Sequence, residues 1–175
     1  MDDENACLLG GKAGRSRTSY CGKEEKGTVL ATDSDNKVVI RRQIRATRQE
    51  LFDEWTDPEG MREWMCPGNI VSAEVQMDPC FGGRLVIVMR GPTEVVEHRG
   101  EFTVFDPPSK LAFTWIAKST DLHPTLVTVE FLEVSPTESE LVLTHSEIPR
   151  KEVSNQYQSG WGQIISRLEQ YLGER

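Results

Sequence analysis

A long amphipathic helix closes the chain after a run of strand-like segments. Between Glu152 and Leu172 the apolar side chains recur at steps of three and four, which is typical of one face of a helix about five turns long. The apolar residues are Val153, Tyr157, Trp161, Ile164, Ile165, Leu168, Tyr171 and Leu172. This stripe has to be buried, and the large partner that the sequence offers is the sheet before it. The sequence therefore predicts a curved sheet wrapped on one helix, with a space between them for a functional site.

Composition limits the classes of protein to which the chain can belong. Its 175 residues, 37% of them hydrophobic, suffice for one globular domain with a sizeable core. The 28 acidic residues outnumber the 20 basic ones, and the net charge of −8 argues against a nucleic-acid partner and against anionic membranes. No stretch approaches the ~20 apolar residues of a membrane span, and the acidic start, Met1–Asn5, does not resemble a secretory signal. We expect a monomer or a homodimer.

The cysteines favour a reducing compartment. Cys7, Cys21, Cys66 and Cys80 form no Cys-x-x-Cys pair, and the chain contains no Asn-x-Ser/Thr sequence. These features favour a cytoplasmic location. Accordingly, we interpret Cys66 and Cys80 as free, partly buried thiols.

The first 35 residues differ from the rest of the chain. They contain a single aromatic residue, Tyr20, and show no sustained hydrophobic period. Such a segment buries too little apolar area to offset its ordering entropy, so we predict a disordered polar tail over residues 1–35. The sequence Gly10-Gly11-Lys12-Ala13 lacks the upstream glycine and the following Ser or Thr of a phosphate loop. Residues 36–175 are then expected to form a single domain.

This domain opens with a strand and two short helices. Hydrophobic and polar residues alternate from Lys37 to Arg45, which is typical of a half-buried strand. The sequence Thr47-Arg48-Gln49-Glu50 has the form of a capping box and predicts a helix start. A second start follows at Thr56-Asp57-Pro58-Glu59, since proline is tolerated in a first helical turn. Both helices are expected to end before Pro67-Gly68.

Six strand-like segments follow, separated by turn signals. They centre on residues 71–77, 84–90, 94–106, 111–115, 127–131 and 141–145. The short connections between them predict antiparallel pairing. The fold class is therefore α+β, with a curved antiparallel sheet of about seven strands around a long C-terminal helix and two short helices after the first strand.

Specific residues in this order resemble the SRPBCC superfamily, the START-like or helix-grip proteins. Within it, the chain is similar to the family of activator of heat-shock protein ATPase homologues, over about Lys37 to Leu172. Four stretches carry the resemblance: Thr56-Asp57-Pro58-Glu59 with Trp64; Phe81-Gly82-Gly83-Arg84; Arg99-Gly100-Glu101 through Pro107-Pro108 to Leu111-Ala112-Phe113-Thr114-Trp115; and Leu143-Thr144-His145 with Gly160-Trp161. The resemblance implies a helix-grip fold with a cavity between helix and sheet.

Two glycine positions lead to specific expectations. Gly160 lies in the middle of the last helix, where it costs roughly 0.5–1 kcal/mol relative to alanine, so we expect the close approach of a strand to compensate. Trp161 is then expected to fill the gap between helix and sheet. Gly82-Gly83 is expected to allow positive backbone dihedrals in a tight hairpin.

No catalytic residue, cofactor or metal ligand is assigned from the sequence. His145 adjoins Ser146, but successive strand residues point to opposite faces, so the histidine cannot orient that hydroxyl. Cysteines and histidines are scattered without the spacing of a metal site. His98, Thr114 and His145 are instead the polar groups that we expect to face the cavity.

The candidate ligand-binding residues are mostly apolar, as in most small-molecule sites. They are Trp64, Met77, Phe81, Met89, His98, Phe102, Phe113, Trp115, His145 and Trp161.

Three hypotheses of function follow from the resemblance. The first is non-enzymatic binding of a small hydrophobic or amphipathic molecule in the cavity. The second is a protein-interaction domain that acts on a chaperone, as the family name implies. The third is an enzyme of the polyketide cyclase or aromatase kind, which would need polar residues deep in the cavity, where this sequence offers few.

Overall fold

The structure is a computed structural model, and it describes residues 36–175. The tail predicted over residues 1–35 lies outside the described residues. The elements follow in the order β1 (Val38–Ile44), α1 (Arg48–Thr56), α2 (Pro58–Trp64), β2 (Ser72–Met77), β3 (Arg84–Arg90), β4 (Val95–Asp106), β5 (Lys110–Ala117), β6 (Thr125–Ser135), β7 (Glu138–Ser146) and α3 (Lys151–Gly173).

The seven strands form one antiparallel sheet in the order β1-β7-β6-β5-β4-β3-β2. Each of the strands β2 to β7 pairs with its neighbour in sequence, and β1 pairs with the last strand. The sheet curls around α3, while α1 and α2 connect its two edges. This α+β helix-grip architecture confirms the predicted fold class.

The sequence signals for the two short helices are realised in the structure. Thr47 and Glu50 form the capping box: the Thr47 hydroxyl accepts from the Glu50 amide at 3.2 Å, and the Glu50 carboxylate accepts from the Thr47 amide at 2.7 Å. Asp57 caps α2 by accepting from the amides of Glu59 and Gly60. Such caps satisfy amides that have no partner within the helix.

The core lies between α3 and the concave face of the sheet. Val153, Trp161 and Ile165 of the apolar stripe of α3 are buried. Every second residue of the strands points inward and forms the opposite side of the core. The ring of Trp161 lies 5.2 Å from that of Trp115 on β5 and stacks on Trp55 of α1 at 6.3 Å. The expectation that Trp161 fills the gap between helix and sheet agrees with this position.

The hairpin glycines act by two different mechanisms. Gly82 adopts a φ of +75°, as expected for a tight turn. Gly83 has no positive φ, and a Cβ there would lie 1.9 Å from the carbonyl oxygen of Asp78. The first glycine is required for its backbone conformation and the second for close approach, a distinction that the Gly-Gly sequence alone does not make.

Candidate functional site

A cavity of about 550 Å³ lies between the concave face of the sheet and α3. Its floor consists of buried residues, and its rim consists of exposed or half-buried ones. The buried residues are Ile70, Met89, His98, Trp115, Trp161 and Ile164. The rim residues are Pro67, Gly68, Asn69, Glu94, Val96, Ser119, Gln156, Tyr157, Ser159, Gly160 and Gln163.

Three neighbouring strands supply the sheet side of the cavity. Met89 of β3, His98 of β4 and Trp115 of β5 occupy inward positions, because alternate residues of a strand share a face. The rings of His98 and Trp115 stack with centroids 4.3 Å apart and an interplanar angle of 29°. This contact fixes the orientation of both rings.

The helix side of the cavity is shaped by Gly160. A Cβ at this position would meet no atom within 4 Å outside its own helix. The expectation that a strand approaches Gly160 closely is therefore wrong. Because glycine has no side chain, open space remains at this position beside Trp161. The helical spacing brings Tyr157, Gly160 and Ile164 to the same cavity.

Two side chains on the cavity floor, His98 and Trp115, have a buried nitrogen without a hydrogen-bond partner among the described residues. His98 is 7% exposed, and its unpaired atom is Nδ1. Burial lowers the pKa of His98 to about 4, since a charged ring would lose its hydration. At neutral pH the ring is therefore uncharged and offers one donor and one acceptor.

His145, by contrast, lies behind the cavity wall with both ring nitrogens engaged. The indole N–H of Trp161 donates to Nδ1 at 3.0 Å, and Nε2 lies 2.7 Å from the Thr125 hydroxyl. Because an indole only donates, Nδ1 is unprotonated and Nε2 carries the proton. The Thr125 hydroxyl in turn donates to the carbonyl oxygen of Trp115 at 2.7 Å. Burial, with a smaller contribution from His98, lowers the pKa of His145 to about 3.

This hydrogen-bonded chain positions the cavity wall. It links the side chain of Trp161 on α3 to the backbone of Trp115 on β5 through His145 and Thr125. We conclude that His145 holds two wall residues in place and has no free nitrogen for a ligand.

Polar contacts at the rim connect α3 to the loops around it. The hydroxyls of Tyr157 and Ser119 lie 2.8 Å apart. The Gln163 side chain accepts from the Gly68 amide at 2.5 Å, which joins the loop after α2 to the helix. Burial raises the pKa of Tyr157, so its hydroxyl stays neutral at physiological pH.

Comparison with known proteins identifies the family. The model of the family "Activator of Hsp90 ATPase homolog 1-like protein" matches residues 45–173. The chain belongs to this family. The resemblance carried by the motifs is thus confirmed at the level of superfamily and family. None of the curated proteins matches the sequence significantly.

Solved structures share the fold of this family member at low sequence identity. A protein from Mycobacterium smegmatis is 20% identical, with a TM-score of 0.66 over 81% of this chain and 94% of that chain. A structure described as an HSP90 activator from Plasmodium falciparum is 23% identical, with a TM-score of 0.65 over 78% and 96%. A protein from Arthrobacter aurescens is 16% identical, with a TM-score of 0.71 over 82% and 89%.

The structure brings four of the ten candidate ligand-binding residues to the cavity: Met89, His98, Trp115 and Trp161. Four others are buried outside its lining: Trp64, Phe102, Phe113 and His145. Met77 is half-buried beside a separate depression at the end of β2. Phe81 is 73% exposed on the β2–β3 hairpin, because that turn projects away from the core.

Thr114 also lies elsewhere than expected. Its neighbours Phe113 and Trp115 are both buried, and the hydroxyl of Thr114 accepts from the Glu101 amide at 3.0 Å on the adjacent strand. The first buried residues of β5, Leu111 to Phe113, are consecutive, but burial alternates from Phe113 to Ala117. Thr114 therefore lies on the opposite face of the strand from Phe113 and Trp115. Thr114 is therefore a sheet-stabilising residue rather than part of the cavity.

Sequence reasoning missed several lining residues. Tyr157, Gly160 and Ile164 share the helical spacing of Trp161, so the periodicity of α3 was a usable signal for them. Pro67, Gly68 and Asn69 belong to a loop without any period. Their place at the rim depends on where that loop packs, which local sequence does not specify.

The described residues hold no cluster suited to metal binding. Within residues 36–175, no group of three or more His, Cys, Asp and Glu side chains converges in this way. Cys66 is a buried free thiol whose pKa is raised by burial. Cys80 is not a free thiol, which corrects the expectation for that residue.

His145 and Ser146 do not form a catalytic pair. The Ser146 hydroxyl lies 3.5 Å from the carbonyl oxygen of Leu126 on β6, whereas the His145 ring points into the core.

Within residues 36–175, no helix is long and apolar enough to cross a membrane.

Proposed function

We propose that this protein binds a small, mainly apolar molecule in the cavity between the sheet and α3. The observation that carries the proposal is the open space at Gly160, next to a floor of buried apolar side chains. A cavity of about 550 Å³ falls within the range of small-molecule sites. No catalytic step is part of the proposal.

The rigid wall supports this function. Trp115 stacks on His98, and Trp161 is held by its hydrogen bond to His145. A wall with fixed rings loses little conformational entropy when a ligand binds, and this preserves more of the affinity gained from apolar contact. His98 supplies a polar group that can orient the bound molecule.

The helix offers a matched pair of variants to test the proposal. Gly160 and Gly162 are both helical, and a Cβ at either position meets no atom within 4 Å outside the helix. Gly160 lines the cavity, whereas Gly162 does not. Gly160→Leu is therefore expected to fill the cavity, and Gly162→Leu serves as the control for the same change in composition.

The assay is a fluorescence titration with N-phenyl-1-naphthylamine, a neutral probe that becomes bright in apolar surroundings. We expect saturable binding to the wild type and to Gly162→Leu, with at least about tenfold weaker binding to Gly160→Leu. Equal titration curves for the two variants, both folded by circular dichroism, would place the probe elsewhere and refute the proposal.

A protein-interaction role on a chaperone is the second candidate function. It is favoured by the family description and by an exposed apolar surface beside the cavity rim, where Val95 and Leu122 are 60% and 68% exposed. These two side chains line the same shallow depression on the sheet surface. Exposed apolar groups of this kind are typical of interaction surfaces.

This second candidate predicts stimulation of a chaperone ATPase. The rate of ATP hydrolysis by an Hsp90-type chaperone from the same organism would be measured with the wild type and with the double variant Val95→Ser/Leu122→Ser. Stimulation that the double variant loses would support the role. An unchanged ATPase rate with the wild type would argue against it.

A further inference from the structure

We propose that the cavity selects uncharged ligands that carry a hydroxyl group, an alcohol or a phenol, and discriminates against carboxylates of the same size. This inference rests on the proposed function and specifies the chemical class of its ligand. The hydroxyl is placed against His98, and the apolar part of the ligand lies along Trp115 and Trp161.

The charge distribution around the cavity is the first argument. Among the described residues that line it, Glu94 is the charged one, and it lies exposed at the rim. A carboxylate entering past Glu94 would be repelled and would find no cation on the floor. Transfer of an ionised carboxylate into such surroundings is strongly unfavourable.

Arg150 lies next to the rim residue Ser119, and its charge is already engaged. Arg150 donates to the carbonyl oxygen of Ser119 at 3.1 Å and pairs with Asp121, also at 3.1 Å. Its charge is therefore compensated outside the cavity. Arg99 pairs with Glu97 on the outer surface of β4 and contributes nothing to the floor.

His98 is the second argument. Its Nδ1 is buried without a partner, although nearly all buried polar groups in proteins are hydrogen-bonded. The ring stacks on Trp115 and belongs to the lining of the cavity. A hydroxyl group both donates and accepts and can satisfy a neutral imidazole in either tautomer, whereas a carboxylate can only accept.

A carboxylic acid could also bind in its protonated form, but the protonated fraction at neutral pH is small, and this lowers the apparent affinity of the acid. For an acid of pKa near 4.3, only about one molecule in 500 is protonated at pH 7. The expected loss is therefore about 500-fold relative to an alcohol of the same shape, before any repulsion from Glu94 is included.

The test compares three ligands with one ring system. 2-Naphthalenemethanol carries the hydroxyl, 2-naphthoate carries the charge, and 2-methylnaphthalene carries neither. Each is titrated against bound N-phenyl-1-naphthylamine at pH 7. We expect the alcohol to displace the probe at least about tenfold more effectively than either of the other two.

Two substitutions assign the preference to His98. In His98→Phe the ring that stacks on Trp115 is kept and the nitrogens are lost, so the alcohol should bind no better than 2-methylnaphthalene. In His98→Gln a neutral donor and acceptor are retained, and part of the preference should return. Thermal melting establishes that each variant is folded. The Gln variant also tests the role of the nitrogens if the Phe variant does not fold.

The outcomes separate the two proposals. Displacement by 2-naphthoate equal to or better than that by the alcohol would overturn the selectivity and leave ligand binding intact. An alcohol preference that survives in His98→Phe would overturn the role of His98. If Gly160→Leu binds the probe as the wild type does, the proposed function itself fails.

Discussion

The indole of Trp161 donates its N–H to Nδ1 of His145 at 3.0 Å, deep between α3 and β7. Both residues are almost completely buried, and the opposite nitrogen of His145 reaches the Thr125 hydroxyl. This arrangement gives the histidine one tautomer and gives the tryptophan one orientation. It explains why a histidine in the core of this protein has a structural role.

The first prediction concerns Trp161. Replacement of this buried ring by alanine should destabilise the protein by about 3–5 kcal/mol, because it leaves a large void and an unpaired His145 nitrogen. Trp161→Phe should cost about 1–3 kcal/mol, since most of the volume stays while the donor is lost. Urea unfolding measures both values. Unchanged transition midpoints would contradict the packing of α3 described above.

The second prediction concerns the glycines of α3. Because a Cβ at Gly160 or Gly162 would meet no atom within 4 Å outside the helix, alanine at each position should stabilise the protein by about 0.5–1 kcal/mol. Thermal melting of the two single variants measures the effect. A fall in melting temperature for Gly160→Ala alone would reinstate the close strand approach that the sequence suggested.

The third prediction concerns acid. The pKa of His98 in the folded state, about 4, lies below its ordinary value of 6.5. The neutral ring therefore contributes full stability above pH 6.5, and this contribution is lost as the pH falls toward 4. Between pH 7.5 and pH 5, we expect the wild type to lose about 2 kcal/mol more stability than His98→Phe.

Urea unfolding at the two pH values measures this difference. Subtracting the variant from the wild type removes the contributions of all other titrating groups, among them Glu54, whose pKa is raised by burial. Parallel losses in the two proteins would show that His98 is protonated as readily in the fold as in the unfolded chain.

The fourth prediction compares Phe81 and Phe102, which the sequence analysis assigned to the same set of candidate ligand-binding residues. Phe81 is exposed, so Phe81→Ser should change stability by less than about 0.5 kcal/mol and leave probe binding unaltered. Phe102 is 1% exposed, and Phe102→Ala should cost about 3–5 kcal/mol. Chemical unfolding and probe titration test both, and a strong loss of probe affinity in Phe81→Ser would return that residue to the site.

Much of the architecture was predictable because its signals are local. The Thr47 capping box, the Asp57-Pro58 helix start and the period of α3 depend on residues a few positions apart. Strand alternation likewise identified His98 as an inward residue. Such patterns predict an element and its buried face without any knowledge of the partner.

Positions inside the core were less predictable. His98 and His145 have the same residue type and both lie on inward strand positions, yet one faces the cavity and the other is enclosed. The difference depends on which α3 side chain covers each histidine. Trp161 covers His145, whereas the absent side chain of Gly160 leaves space near His98.

Local patterns were sufficient to predict the elements, their order, the buried stripe of α3 and the family, because periodicity, caps and motifs are properties of neighbouring residues. The lining of the cavity, the open space at Gly160 and the unpaired nitrogen of His98 became visible in the folded protein alone. Those features depend on distances between segments far apart in the chain, and these distances are fixed by packing the helix onto the sheet.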